Sequence, residues 1–223
     1  MNNNSPACKL FVLAVLAVGL SATVDSTRAD EPPAIGSRRE LFVDHFLIDK
    51  LDNARLKLHE PRSEGAVLHL DKPWEGPFCA YTTVIKDGDR YRMYYRGATP
   101  EYNTSSYVER LTMRLDGFVS VNAPHTGGEL LTRPFTFEGG VLSINFSTSA
   151  AGGIRIELQD AAGEPIPGYT LADCAPIVGD EIDRRIAWQG GGDLATLASR
   201  PIRLRVVMRD ADLYAIQFFK EPR

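Results

Sequence analysis

The sequence is poor in the residues from which most metal and redox sites are built. It has three cysteines, four histidines and two tryptophans in 223 residues. No Cys/His spacing fits a zinc site, and no Gly-x-Ser-x-Gly, Gly-x-Gly-x-x-Gly or phosphate loop marks a hydrolase elbow or a nucleotide site. No cofactor is therefore expected. Long hydrophobic runs are also missing: the uninterrupted apolar stretch at residues 10–20 is about half the roughly 20 residues that a membrane-spanning helix needs. A basic run is absent as well, which argues against nucleic acid or an anionic membrane as partner.

What is present at the N-terminus explains the short apolar stretch. Lys9 precedes it, and small and polar residues follow, up to Thr27-Arg28-Ala29. That is the layout of a secretory signal peptide covering 1–29, with the exported chain beginning at Asp30 and the protein secreted or periplasmic. Cys8 lies before the apolar stretch and is badly placed for lipid attachment. Without residues 1–29, which carry Lys9, Arg28 and Asp25, the formal charge of −4 becomes about −5. Of the two remaining cysteines, Cys79 and Cys174, either a disulfide or two buried thiols fits an oxidising compartment.

Beyond Asp30 the pattern is that of strands. Arg55-Leu56-Lys57-Leu58-His59 alternates with period two, as does Leu68-His69-Leu70. Tyr81 to Ile85, the turn Lys86-Asp87-Gly88-Asp89 and Tyr91 to Arg96 predict a β-hairpin. Residues 98–107 break the pattern and read as a linker. Alternation resumes at Leu111-Met113-Leu115, 142–146, 154–158 and 202–206, and residues 213–219 close the chain. Gly-rich clusters punctuate these stretches, among them Ala151-Gly152-Gly153. Only 193–199 looks helical, with Asp193 as N-cap. The expected fold is all-β: a jelly-roll-like antiparallel β-sandwich over 108–223 that folds by itself, preceded by a small hairpin segment over 30–97. A lone small sheet needs cover for its apolar face, so 35–97 either packs on the sandwich or lacks its proper partner.

Glu40-Leu41-Phe42-Val43-Asp44, Trp74-Glu75-Gly76-Pro77 and the Tyr81–Gly97 hairpin together resemble the opening blade of secreted bacterial proteins related to five-bladed β-propeller glycoside hydrolases, the arabinanase and invertase superfamily. Residues 115–214 resemble the β-sandwich that follows the propeller in those proteins. A propeller needs at least four blades of 40–50 residues, and no second copy of the Asp-Gly and Tyr-rich pattern precedes Leu111. The resemblance therefore implies a first blade joined directly to a tail domain.

The same resemblance carries a nucleophile or base onto Asp44, whose alternative is an Asp at a strand end bonded to backbone. Glycoside hydrolysis normally needs a second carboxylate. In the resembled proteins it comes from a later blade, so no competent hydrolytic site is expected. Glu75 is a substitute candidate that also fits a plain turn. Trp74 and Tyr81 are the candidates for stacking on a sugar, since aromatic rings offer broad apolar surface at little entropic cost; Trp188 reads as core. Asp210-Ala211-Asp212 fits a hairpin turn better than a calcium site. His45, His59, His69 and His125 show no metal spacing, and Asn103 and Asn145 head glycan-acceptor patterns expected to stay bare. Carbohydrate is the partner these candidates point to, and the sequence sets no oligomeric state. Two functions stay open: a non-catalytic exported sandwich module, or a fragment of a propeller glycosidase.

Overall fold

The alternating stretches at 142–146 and 154–158 form one strand, and those at 202–206 and 213–219 form another. This is seen in a computed structural model that describes residues 31–70, 79–88, 90–97 and 106–221. In chain order the strands are β1 (Ala34–Gly36), β2 (Arg39–Leu41), β3 (Ile48–Asp52), β4 (Arg55–Leu58), β5 (Arg62–Leu70), β6 (Cys79–Asp87) and β7 (Arg90–Gly97). They continue with β8 (Ser106–Thr112), β9 (Val119–Ala123), β10 (Gly128–Thr132), β11 (Thr136–Phe137), β12 (Val141–Asp160), β13 (Asp180–Arg185) and β14 (Ile202–Phe219). A 3₁₀ turn, Leu194–Leu197, is capped by the Asp193 side chain as its sequence predicts.

β12 and β14 pair antiparallel from Val141↔Phe219 to Asp160↔Ile202. Both change direction at the same level, where the register jumps between Thr148↔Ala211 and Gly153↔Arg209. Asp210 adopts the left-handed φ of 44° there, and a Cβ on Gly152 would lie 2.5 Å from the Asp210 carbonyl oxygen. The Gly152-Gly153 pair and the Asp210 acid, each expected to turn between strands, instead bend two continuous strands at one corner. Corners of this kind let a sheet curl back and face itself across a core.

The curled sheet is sandwich-like and antiparallel. Its strand order is β13-β12-β14-β10-β3, with β2 and β9 also on β14 and β4 on β9. The N-terminal strands are thus part of it. β2 pairs with β14 at Leu41↔Ala215, β3 with β10 at Leu130↔Leu51, and β4 with β9 at Leu56↔Val121. Ile35, Phe42, Leu47 and Ile48 are buried in the same core as Phe135, Phe137, Ile156, Leu204 and Phe218. Of the two arrangements open for the N-terminal segment, residues 34–58 take the one packed on the sandwich. Full burial of such side chains is worth about 1.5–3 kcal/mol each, so a sandwich beginning at residue 108 would forgo several of them. Phe218 stacks on Phe137 with ring centroids 4.0 Å apart.

The Asp87-Gly88 hairpin forms as expected, β6 against β7, and β5 pairs with β8. Neither pair joins the large sheet or any other described strand. Two further expectations are corrected. Leu115 lies in the turn after β8 rather than in a strand, and Trp188 makes only an isolated bridge to Cys174. Cys174 is a buried free thiol rather than half of a disulfide with Cys79.

The corner makes a direct stability test. Gly152→Ala places a methyl group against two backbone carbonyls, Asp210 at 2.5 Å and Arg209 at 2.6 Å, neither of which can swing aside. A loss of about 1–3 kcal/mol is expected in thermal or urea melts. Gly192→Ala, whose Cβ meets nothing nearer than 3.8 Å, should change stability little.

Candidate functional site

A second irregularity in the β12/β14 pair builds the site. Asn145 pairs with Ala215 and the next residue, Phe146, with Leu213, which leaves Tyr214 as the extra residue of a bulge. Leu213 and Ile216 therefore both reach the core, while Tyr214 turns to the opposite face beside Ser147, its hydroxyl 3.4 Å from Ser147 Oγ. Re-aiming one side chain is what a bulge does.

On that outer face the strands place a layer of polar groups beneath the 113–118 turn. Asn145, 1 % exposed, donates from Nδ2 to the Leu115 carbonyl at 2.8 Å and accepts from Arg114 Nε at 2.7 Å. Arg114 also donates to the Phe146 carbonyl at 2.9 Å, pairs with Asp180, and lies 4.9 Å over the Tyr214 ring. Asp116 closes the layer through Arg39 at 2.9 Å. Asn145 is consumed by this bonding, so it is no glycan acceptor.

Asp212 is the hub of the adjoining part. Its Oδ1 accepts from Ser120 Oγ at 2.6 Å and from Asn122 Nδ2 at 2.9 Å, and Lys57 Nζ stands 3.7 Å from Oδ2. His59 Nε2 lies 2.9 Å from the same Ser120 oxygen. Serine, histidine and aspartate thus meet, but not as a nucleophilic triad, in which the imidazole stands between carboxylate and hydroxyl. Here the hydroxyl stands between the other two, its proton committed to Asp212, and Ser120 is fully buried. With the Ser120 O–H donated to Asp212, His59 Nε2 is the donor to the Ser120 oxygen and Nδ1 of the neutral ring is left as an acceptor.

The face opens in a cleft of about 320 Å³ lined by His59, Glu60, Arg62, Thr112, Met113, Arg114, Gly117 and Tyr214. The ring centroids of His59 and Tyr214 are 5.3 Å apart. Thr112 donates to Glu64 at 2.7 Å, and Arg62 donates to the same carboxylate through Nε at 2.8 Å; the hydroxyl first and the guanidinium second hold that carboxyl below its usual range. Burial pushes the Tyr214 hydroxyl up. Burial likewise lowers His59, against an opposing pull from Asp212.

The residues singled out from sequence fall elsewhere. Asp44 is exposed between β2 and β3, where its Oδ1 accepts from the Phe46 backbone N–H at 2.8 Å, the plain strand-end arrangement. Tyr81 lies on β6, and Trp74, Glu75 and Asn103 lie outside the described residues. Trp188 donates from Nε1 to the Ile156 carbonyl at 2.8 Å and packs edge-on against Tyr169, which makes it a core residue. His45 and His125 are exposed and outside the cleft. No group of three metal-binding side chains occurs among the described residues. A second polar ladder, Glu129–Arg205–Glu157, crosses three strands on the other side of the corner. Arg205 grips Glu129 at 2.9 and 2.8 Å and reaches Glu157 at 3.6 Å, so both carboxylates are held by one guanidinium.

Sequence reasoning missed Ser120 and Tyr214 and took Asp212 for a turn acid. The available signal was the alternation of Arg55, Lys57 and His59, which marks one polar strand face, but nothing local shows what that face meets.

The His59 shift has a pH consequence. A folded pKa below the ordinary 6.5 means that the unfolded chain takes up the proton first, so the contribution of His59 is complete above pH 6.5 and is lost as pH falls through the folded pKa. NMR titration of the His59 ring should give a midpoint below 6.5, and His59→Gln should flatten the stability loss in that window. A midpoint above 6.5 would mean that the Asp212 charge outweighs burial.

Compared with protein-family models, curated proteins and solved structures, the chain finds no match, so the reading of this face rests on its own residues.

Proposed function

We propose that the chain is an exported, non-catalytic β-sandwich module that binds carbohydrate in the cleft beside His59 and Tyr214. The observation that carries this reading is the mixture of groups lining one open depression. The His59 ring and the Met113 side chain give apolar surface, while Glu60, Arg62 and Thr112 bring an acid, a base and a hydroxyl to the same walls. A polyhydroxyl ligand presents donors and acceptors over a partly apolar body, and sites that bind such ligands combine apolar walls with a few placed polar groups. Glu60 is the one carboxylate among the described lining residues. Hydrolysis of a glycosidic bond by the usual route takes two carboxyl groups about 5–9.5 Å apart, so the cleft supports binding rather than turnover. The signal-peptide pattern of residues 1–29 supports export.

The second reading, a fragment of a propeller glycoside hydrolase, is favoured by a different observation. β5–β8 and β6–β7 pair with no other described strand, and Val67, Val84, Ile85, Tyr94 and Leu111 are each more than half exposed. A two-stranded pair that leaves apolar side chains exposed needs a further layer to cover them, which neighbouring blades would supply. On that reading activity returns only when further blades are restored.

Affinity electrophoresis through gels containing soluble plant and bacterial polysaccharides separates the two. Binding is expected to at least one polysaccharide, without release of reducing sugar. Arg62→Ala should weaken it about tenfold, the ~1.4 kcal/mol scale of one charge-assisted hydrogen bond, while Asp44→Asn leaves it unchanged. Reducing-sugar release that Asp44→Asn abolishes would overturn the reading.

A further inference from the structure

The outer face carries a second depression, at the other end of β4, lined by Asn53, Ala54, Arg55, Asn122 and Pro124. We infer that the two clefts are one elongated site, and that the ligand is a linear saccharide chain lying along β4 rather than a single sugar or a chain end. This inference rests on the carbohydrate reading of the first cleft.

The two depressions share one polar row. Cross-strand register sets Arg55 opposite Asn122 and Lys57 opposite Ser120, and the His59 N–H continues the ladder to the Phe118 carbonyl at 2.9 Å. Arg55, Lys57 and His59 therefore fall on one face by period two. The row is fixed from behind by one atom. Asp212 Oδ1 accepts from Asn122, a wall of the second cleft, and from Ser120, the partner of His59 in the first. The same carboxylate thus sets the side-chain geometry of both clefts.

Length follows from the strand. Four residue steps from Arg55 to His59, at about 3.3 Å each, separate the two ends by roughly 13 Å, more than one pyranose ring covers. The two ends also offer side chains that no described residue occupies: apart from the backbone pairing of Arg55 with Asn122, neither the Arg55 nor the Glu60 side chain has a hydrogen-bond or ion-pair partner among the described residues. β4 pairs with β9 alone, so no described strand lies along its other edge to obstruct a chain there.

Calorimetric titration of the chain from residue 30 with cello-, xylo- and manno-oligosaccharides of one to six units tests this. Affinity in the series that binds should climb at least tenfold between one and four units and then level off. Arg55→Ala should erase most of that gain while leaving the affinity for the shortest binder within twofold; His59→Ala should weaken all lengths. Equal affinity for short and long members, or a long-chain affinity unmoved by Arg55→Ala, would overturn the elongated site while the first cleft stands as a sugar site. No binding in any series, together with no retardation by any polysaccharide, would overturn the carbohydrate reading and this inference with it.

Discussion

The shared bend of β12 and β14 is the constraint from which the other features follow. Two strands of 20 and 18 residues run together and change direction where Gly152 crosses the carbonyls of Arg209 and Asp210. On one side of the corner β14 takes β10; on the other it takes β9 and β2. Alternation then supplies the core without further instruction. Ile202, Leu204, Val206 and Met208 point inward before the corner, and Leu213, Ile216 and Phe218 after it. The step from 213 to 216 breaks period two, and the Tyr214 bulge makes that step.

The bulge also links the core to the chemistry of the outer face. Turning Tyr214 outward gives Arg114 a ring to cover and gives His59 a ring to lean on. On this face Asn145 and Ser120 are buried and Arg114, Asp116 and Asp212 partly so, and enclosed polar groups are tolerable only when bonded. Asn145, Arg114 and Asp116 satisfy one another, as do Ser120, Asn122 and Asp212. Such a layer holds its members rigidly, which is what a binding face requires of the residues behind it. It also explains why Ser120 is no nucleophile: its proton and its position are both spent on Asp212.

What the sequence made legible was local. Gly88 between two β-branched and aromatic runs marked the hairpin, and its positive φ of 60° suits the short turn that brings Asp87 opposite Arg90. The Asp193 cap was readable for the same reason, since its bond reaches only to Ala195. The all-β class followed from alternation. Apart from Leu115 and Trp188, placed in strands by local alternation, the failures were of long range. Gly152-Gly153 and Asp210 carry ordinary turn signals, and only the partner strand decides that the chain bends there instead of reversing. Arg39-Glu40-Leu41 pairs with a segment more than 170 residues away, and no periodicity within residues 34–58 names that partner. The site was hidden likewise: Asp212 looked like a turn acid, and its companions at 59, 120 and 122 come together only through β4, β9 and β14.

Native-state hydrogen exchange tests the integration of these elements most directly, because it reports which amides open together. If residues 34–58 belong to the sandwich, the ladder amides of β2, β3 and β4 are protected to within about 1–2 kcal/mol of those in the middle of β14, and they open with it. Exchange of 34–58 at near-unprotected rates while β12 and β14 stay closed would contradict the account, by showing an N-terminal segment that folds apart from the sheet.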